Sequence, residues 1–423
     1  MVNKKLSLIG LALVLMVFLT AATTYFLFPY DPKDPPEADD RQATVDGMNS
    51  VSEANNMFAF ELFDELVESE DDNIFYSPYS IFSALAMTYE GSSGETAKEM
   101  QDVFHFQEND VLRPNFAAVY NRINEGDKKY ELRTGNALWV REDFPLLEEY
   151  TDNVEKYYGG KGTNLDFASD VEGSRETINS FIEEQTSGRI ENLIPKGALN
   201  PMTALVLTNA VYFKGNWQFE FNEEDTLEED FYVSPDETVK VDMMNMRPDE
   251  EKFNYTETDN LQMIELPYEG GELSMYVLLP DEGFDSIEEE LTNEYFEGLL
   301  DDLQETEFNT ISIPRFSFET KYTMNNVLSD MGMPSAFDEN LADFSGMTGD
   351  VDLFISSVIH KAFIEVNEEG TEAAGATGVV IMPTSAPADP PKNFRADSPF
   401  VFVIRDNELG VNLFTGKVKN PIE

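Results

Sequence analysis

Residues 364–394 read IEVNEEGTEAAGATGVVIMPTSAPADPPKNF. The stretch is acidic first, then small and β-branched, then proline-rich. Thr371, Ala373, Gly375, Thr377, Val379 and Ile381 fall at every second position, and none is charged. Alternation of period two is a strand pattern, because successive side chains point to opposite faces. The glycines at 370, 375 and 378 weaken such a strand, and its small side chains give it little to pack with. Downstream, Pro383, Pro387, Pro390 and Pro391 lack the N–H that regular pairing needs. Two readings stand: a loop able to become a strand, or a flexible surface linker, which composition alone favours.

The chain has 423 residues, enough for one large domain or about two to three average ones. Its hydrophobic content of 41 % supports a real core. It has no cysteine, so neither a disulfide nor a thiolate metal site is available. Acidic residues number 82 against 28 basic ones, for a net charge of −54. Such a chain repels nucleic acid and anionic lipid surfaces. The acids are spread through apolar-periodic segments, and 12 % of the residues are aromatic, which argues against disorder. Self-repulsion destabilises so charged a fold at low ionic strength, and molar salt screens it. A halophilic source is therefore expected; the alternative is a merely acidic extracellular protein.

Lys4 and Lys5 precede residues 6–28, an apolar run broken only by small or hydroxyl residues. As a helix this run spans roughly 35 Å, enough for a bilayer core. The lysines favour a cytoplasmic N-terminus, with the rest of the chain outside. Thr20, Ala21 and Ala22 would suit a cleaved signal peptide. Apolar residues resume at Tyr25, however, which favours an uncleaved anchor. Residues 1–30 are thus a signal peptide or transmembrane anchor, residues 31–48 an acidic, proline-rich tether, and residues 49–423 the folded part.

Within that part, Val51, Ala54, Phe58, Leu62 and Leu66 recur at helical spacing. Ser77 caps a second helix with Pro78 at its first position. Ser92 and Glu95 offer a capping box ahead of a helix through Phe104. Residues 145–158, 171–186, 286–303 and 322–331 also read as helices. Residues 204–213 (ALVLTNAVYF) are almost continuously apolar and predict a strand buried on both faces. Residues 231–246 and 253–280 alternate as strands, with a hairpin at Gly270 and Gly271. Strands are also expected over 309–319, 357–365, 399–405 and 411–418. No repeat and no internal linker divides residues 49–423, which predicts one α+β domain.

The chemistry of an enzyme is missing. There are only two histidines, His105 and His360, and no nucleophile elbow, HExxH, P-loop or GxGxxG. With so many carboxylates, two acids close in sequence carry almost no information. The sequon at Asn254 fits plain surface as well as modification. A buried imidazole at His360 needs hydrogen-bond partners, and a satisfied core histidine is the simpler reading than a catalytic one.

Four segments together resemble the serpin family. They are 73–81 (NIFYSPYSI), 209–217 (NAVYFKGNW), 368–375 (EEGTEAAG) and 394–404 (FRADSPFVFVI), in the family's order. The resemblance covers residues 49–423. It implies a serpin fold, α+β, with three β-sheets, eight or nine helices and an exposed reactive-centre loop over about 368–393. It implies a serine protease inhibitor that acts as a suicide substrate, with no enzyme activity, cofactor or metal. The target serine protease cuts the loop and is held as an acyl-enzyme while the loop inserts into the largest sheet as a new strand. The protein is expected to be a monomer, extracellular or at the cell surface, with its N-terminal segment in the membrane.

The resemblance also carries residues. Glu368, Gly370, Thr371, Ala373, Ala374 and Gly375 match the hinge of inhibitory members. Every inward-facing position is uncharged, as burial requires, and Glu372 falls on the alternate face. Ser77, Ser80, Asn209 and His360 match a polar cluster where the sheet parts, called the shutter. Trp217, Arg315 and Glu368 match the site at the top of the sheet where insertion begins, called the breach. Counting as the family does from Glu368 places the cut between Thr384 and Ser385, with Met382 the rival. Threonine suits an elastase-like or subtilisin-like protease, and no basic residue lies between Glu368 and Pro391 to attract a trypsin-like one. The alternative is a non-inhibitory serpin acting as a binding or carrier protein.

Overall fold

A computed structural model describes residues 37–125, 128–160, 162–249, 251–349, 353–371 and 391–422. The apolar run at 204–213 becomes the middle of a twelve-residue strand, Leu205–Asn216, at the centre of a seven-stranded sheet. In spatial order that sheet runs Phe316–Thr323, Ile355–Asn367, Gly370–Thr371, Leu205–Asn216, Ala137–Arg141, Gly162–Leu165. Tyr130–Thr134 also pairs with the central strand. Because strand side chains alternate, the central strand feeds two cores. Leu205, Leu207, Val211 and Phe213 face the main core between the sheets. Val206 and Ala210 face a second cluster with Trp139, Phe181, Ile182 and Ile359, covered by the helix Val171–Gln185.

The second sheet has ten strands and changes partners along Gln304–Pro314. The first half of that strand pairs with Lys252–Glu257, and the second half pairs with Glu237–Met246 and, in parallel, with Lys392–Arg395. Divided there, the molecule has the three sheets that were expected. Nine α-helices lie among the described residues.

Several local expectations need correction. The first helix among the described residues is Val45–Ser69, starting inside the stretch read as tether, because the Thr44 hydroxyl accepts the Gly47 N–H. The chain is already docked before it: Ala38 N–H donates to Asn121 Oδ1 at 2.8 Å. The capping box at Ser92 does not form. The helix begins at Gly94, so Ser93 is the cap, with no side-chain hydrogen bond, and Glu95 falls too early to reach back. Residues 286–303 hold a 3-10 turn, Glu288–Glu290, and a shorter α-helix, Asn293–Asp301, capped by Thr292. The strand expected over 309–319 is two strands, Gln304–Pro314 and Phe316–Thr323, broken at Arg315. A helix missed in the sequence, Asn109–Ile123, contains Pro114 one turn past its start, where a missing N–H forfeits a single bond. No helix among the described residues is long and apolar enough to cross a membrane. The apolar run at 6–28 lies outside them.

Candidate functional site

The seven-stranded sheet has a seam. Strands Leu205–Asn216 and Ile355–Asn367 run parallel and pair from Ile355 opposite Leu205 to Ala362 opposite Val211. Above that rung they part, and Gly370–Thr371 lies between them, antiparallel to both. Thr371 faces Val366 on one side and Gly215 on the other. The start of the hinge, expected to be exposed, is therefore strand already, and Glu368, Gly370 and Thr371 are buried. Glycine makes the entry possible. At position 370 a Cβ would come within 2.2 Å of the Gly215 carbonyl oxygen. Asn367 turns the chain, its Oδ1 accepting the N–H groups of Glu369 at 3.1 Å and Gly370 at 3.2 Å. Ala373, Ala374, Gly375, Thr384 and Ser385 lie outside the described residues.

The mouth of the seam brings Trp217, Arg315 and Glu368 together. Trp217 donates its N–H to Glu369 O at 2.9 Å and its Nε1–H to Asn367 O at 3.0 Å. Glu368 is 3 % exposed, and its carboxylate accepts Arg315 Nη2–H at 2.5 Å, Arg315 Nε–H at 3.2 Å and the Thr226 hydroxyl at 2.5 Å. Burial pushes this carboxyl up. The Arg315 and Thr226 hydrogen bonds outweigh it and leave it below the usual carboxylate value. Arg315 also reaches Asp242 at 3.4 Å.

The four residues expected to form the lower cluster do converge. His360 and Asn209 are opposite each other on the parallel ladder. The Ser77 N–H donates to His360 Nε2 at 3.2 Å, which leaves Nδ1 as the protonated nitrogen, facing Asn209 Oδ1. Asn209 Nδ2 donates to Ser80 Oγ at 2.6 Å and to Asn136 Oδ1 at 2.7 Å. The Ser77 hydroxyl donates to Leu413 O at 2.7 Å and so ties the cluster to the second sheet. Full burial pushes the His360 pKa down to about 3, so the ring is neutral.

Three contributors were missed in the sequence: Asn136, Thr226 and Tyr268, whose phenol oxygen lies 2.8 Å from Thr371 Oγ1. Each reaches its partner from another element, Asn136 with both ends of its amide, its Oδ1 accepting from Ser80 and Asn209 and its Nδ2–H donating to Ser80 O. The only available signal was an uncharged polar residue next to an apolar strand, as Asn136 is to Ala137–Arg141. Nothing in the cluster suits acid–base or nucleophilic catalysis. Among the described residues no group of three or more metal-ligating side chains is found.

The sheet thus has a parallel seam, a strand end between its parted tops and a buried polar cluster lower down. A family model described as Serpin (serine protease inhibitor) matches residues 53–421. A serpin-like protein of Methanosarcina acetivorans, itself uncharacterised, is 44 % identical over 88 % of each chain. Serpin48 of the insect Tenebrio molitor, described as a highly specific serpin, superposes with a TM-score of 0.78 at 33 % identity, covering 88 % of this chain and 98 % of that one. Human thyroxine-binding globulin complexed with its ligand gives a TM-score of 0.79 at 29 % identity, over 89 % and 100 %. The chain belongs to the serpin family, whose members are generally protease inhibitors rather than catalysts.

Proposed function

We propose that the protein is an inhibitory serpin that traps a serine protease by completing the strand begun at Gly370 and Thr371. The observation that carries this reading is the seam, already occupied at its top by the uncharged pair Gly370 and Thr371. Continued down the seam, the register four residues beyond Thr371 reaches Ala362 on one strand and Val211 on the other. That rung is the first of the existing clasp. Insertion up to residue 374 thus meets no paired strand, and only the next residues must part the sheet. The strand Ile355–Asn367 offers 13 residues of edge, and 15 residues run from Gly370 to Thr384. The uncut loop is tied at its far end as well. Lys392–Arg395 is paired to Gln304–Pro314, and Lys392 is bridged to Glu257 at 2.6 Å. Cleavage at Thr384–Ser385 would free one end, leaving the protease attached to the part that moves.

Incubation with subtilisin or elastase in molar salt tests the reading. An SDS-stable complex, with mass spectrometry placing the cut after Thr384, is expected. Clean cleavage without a complex would refute inhibition and leave a binding or carrier role, as in the thyroxine-binding relative. We further infer export, with residues 6–28 as a membrane anchor, from the lysine-flanked apolar run. The net charge of −54 supports a high-salt habitat. Unfolding on dialysis to low ionic strength is the expected outcome, and undiminished stability there would count against it.

A further inference from the structure

We propose that Tyr268 is a positioning residue that pins the register of the entering strand through the hydroxyl of Thr371. The proposal rests on the inhibitory reading and adds to it one named group. Tyr268 follows the strand Leu261–Pro267 of the second sheet and forms an isolated antiparallel bridge with Trp217. Its ring is held from two sides. It stacks on Trp217 with centroids 4.6 Å apart and meets Phe213 edge-on at 5.2 Å. Gly215 makes room for it, since a Cβ there would lie 2.9 Å from Tyr268 Cδ1. The phenol oxygen of this fixed ring is 2.8 Å from Thr371 Oγ1, and both residues are buried.

Backbone pairing alone cannot set the register here. Thr371 is laddered to Val366 and Gly215, but almost any residue presents the same N–H and C=O to those neighbours. A shift of one residue would turn every side chain to the other face. The fixed phenol distinguishes the registers. With Thr371 opposite, it finds a hydroxyl. A slip in one direction offers Gly370, which has no side chain. A slip in the other offers Glu372, whose charge would be buried among aromatic rings. The first rung is thus selected by a side-chain hydrogen bond, and every later rung inherits its parity.

The test titrates subtilisin in molar salt with the wild type, Tyr268→Phe, Thr371→Ser and the double variant Tyr268→Phe/Thr371→Val. The readouts are inhibitor consumed per protease inhibited, yield of SDS-stable complex, rate of loop cleavage, and thermal midpoint of the uncut protein. Tyr268→Phe is expected to raise the stoichiometry several-fold at an unchanged cleavage rate. Thr371→Ser, the conservative variant that keeps the hydroxyl, should stay near the wild type. The double variant leaves no buried hydroxyl unmatched, so it should regain the thermal midpoint yet keep the raised stoichiometry. Tyr268→Phe with wild-type stoichiometry overturns the pin. So does a double variant that regains both, which would mark the contact as structural only. A wild type that is cut without forming any complex defeats the inhibitory reading itself, and the pin falls with it.

Discussion

Between Ile355 and Ala362 the two strands of the seam pair with each other; around Val366 and Gly215 they pair instead with the hinge. The same two strands therefore show both arrangements at once. In the lower half the ladder is parallel, which is slightly less stable per residue than antiparallel pairing. In the upper half each strand has an antiparallel partner. Every rung of insertion would exchange one parallel interface for two antiparallel ones, so the backbone favours a longer inserted strand. The lower half stays closed because its side chains resist. His360 and Asn209 bridge the two strands directly. On the outer face, Ile359 from one strand and Val206 and Ala210 from the other are gathered under a single helix. The far end of the loop is anchored as well. On the inhibitory reading proposed above, the difference between the halves would place the barrier to insertion in side-chain packing and loop tethering rather than in the ladder.

The largest expected effect breaks the upper half. Thr371 is 1 % exposed between Val366 and Gly215. An arginine there must be expelled, since a buried unpaired charge costs several kcal/mol. From the sequence alone Thr371→Arg is expected to turn inhibitor into substrate while leaving the native fold intact. With Thr371 already seated, the substitution should also withdraw the hinge from the native sheet. Cleavage by subtilisin should continue, the SDS-stable complex should fall at least tenfold, and cleavage should no longer raise the thermal midpoint. A variant that still traps protease would show that the upper half is not where insertion begins.

The parts of this device differ in how far they could be read from the chain. The α+β class was legible because helical and strand periodicities are local, whereas the hinge residues, Glu368 and Arg315 were named only through the resemblance to serpins, since Glu368 and Arg315 lie 53 residues apart and neither segment encodes the other. The strand Leu205–Asn216 was legible because burial on both faces leaves an unbroken apolar run. The seam was not, since it depends on two strands about 150 residues apart lying parallel, and no local pattern encodes a partner. Tyr268, Asn136 and Thr226 were hidden for the same reason: each hydrogen-bonds its partner across a tertiary contact. The burial of Glu368 was hidden too, because an acidic run ordinarily means solvent, and only Arg315 and Thr226 make its enclosure tolerable.

Acid offers a smaller and more selective way to separate the halves. His360 is neutral and buried, with its pKa lowered from 6.5 to about 3. The unfolded chain takes up this proton as pH falls below 6.5, while the folded one resists it until about 3. Its contribution to stability is thus complete above 6.5 and is lost as pH falls, by up to about 1.4 kcal/mol per unit. Through that range the folded ring stays neutral and keeps its bond from the Ser77 N–H, so the proton is taken up only by states in which the clasp has opened and exposed the imidazole, and the loss falls on the lower clasp. Glu368, in the upper half, is depressed below its usual 4.5, and its contribution declines only as pH falls past that value. Between about pH 6.5 and 4.5, acid should therefore weaken the lower half and spare the upper. The other histidine acts in the opposite sense. His105 is raised by its hydrogen bond to Glu61, so its contribution is full at low pH and fades as pH rises through the folded value. A comparison of wild type with His360→Asn cancels that background. Urea unfolding at high salt should show the wild type losing about 2 kcal/mol from pH 6.5 to 5 relative to the variant. Hydrogen exchange should rise at Val358–Ala362 before it rises at Val366–Thr371. Parallel pH profiles for the two proteins would mean that the buried imidazole does not hold the seam shut.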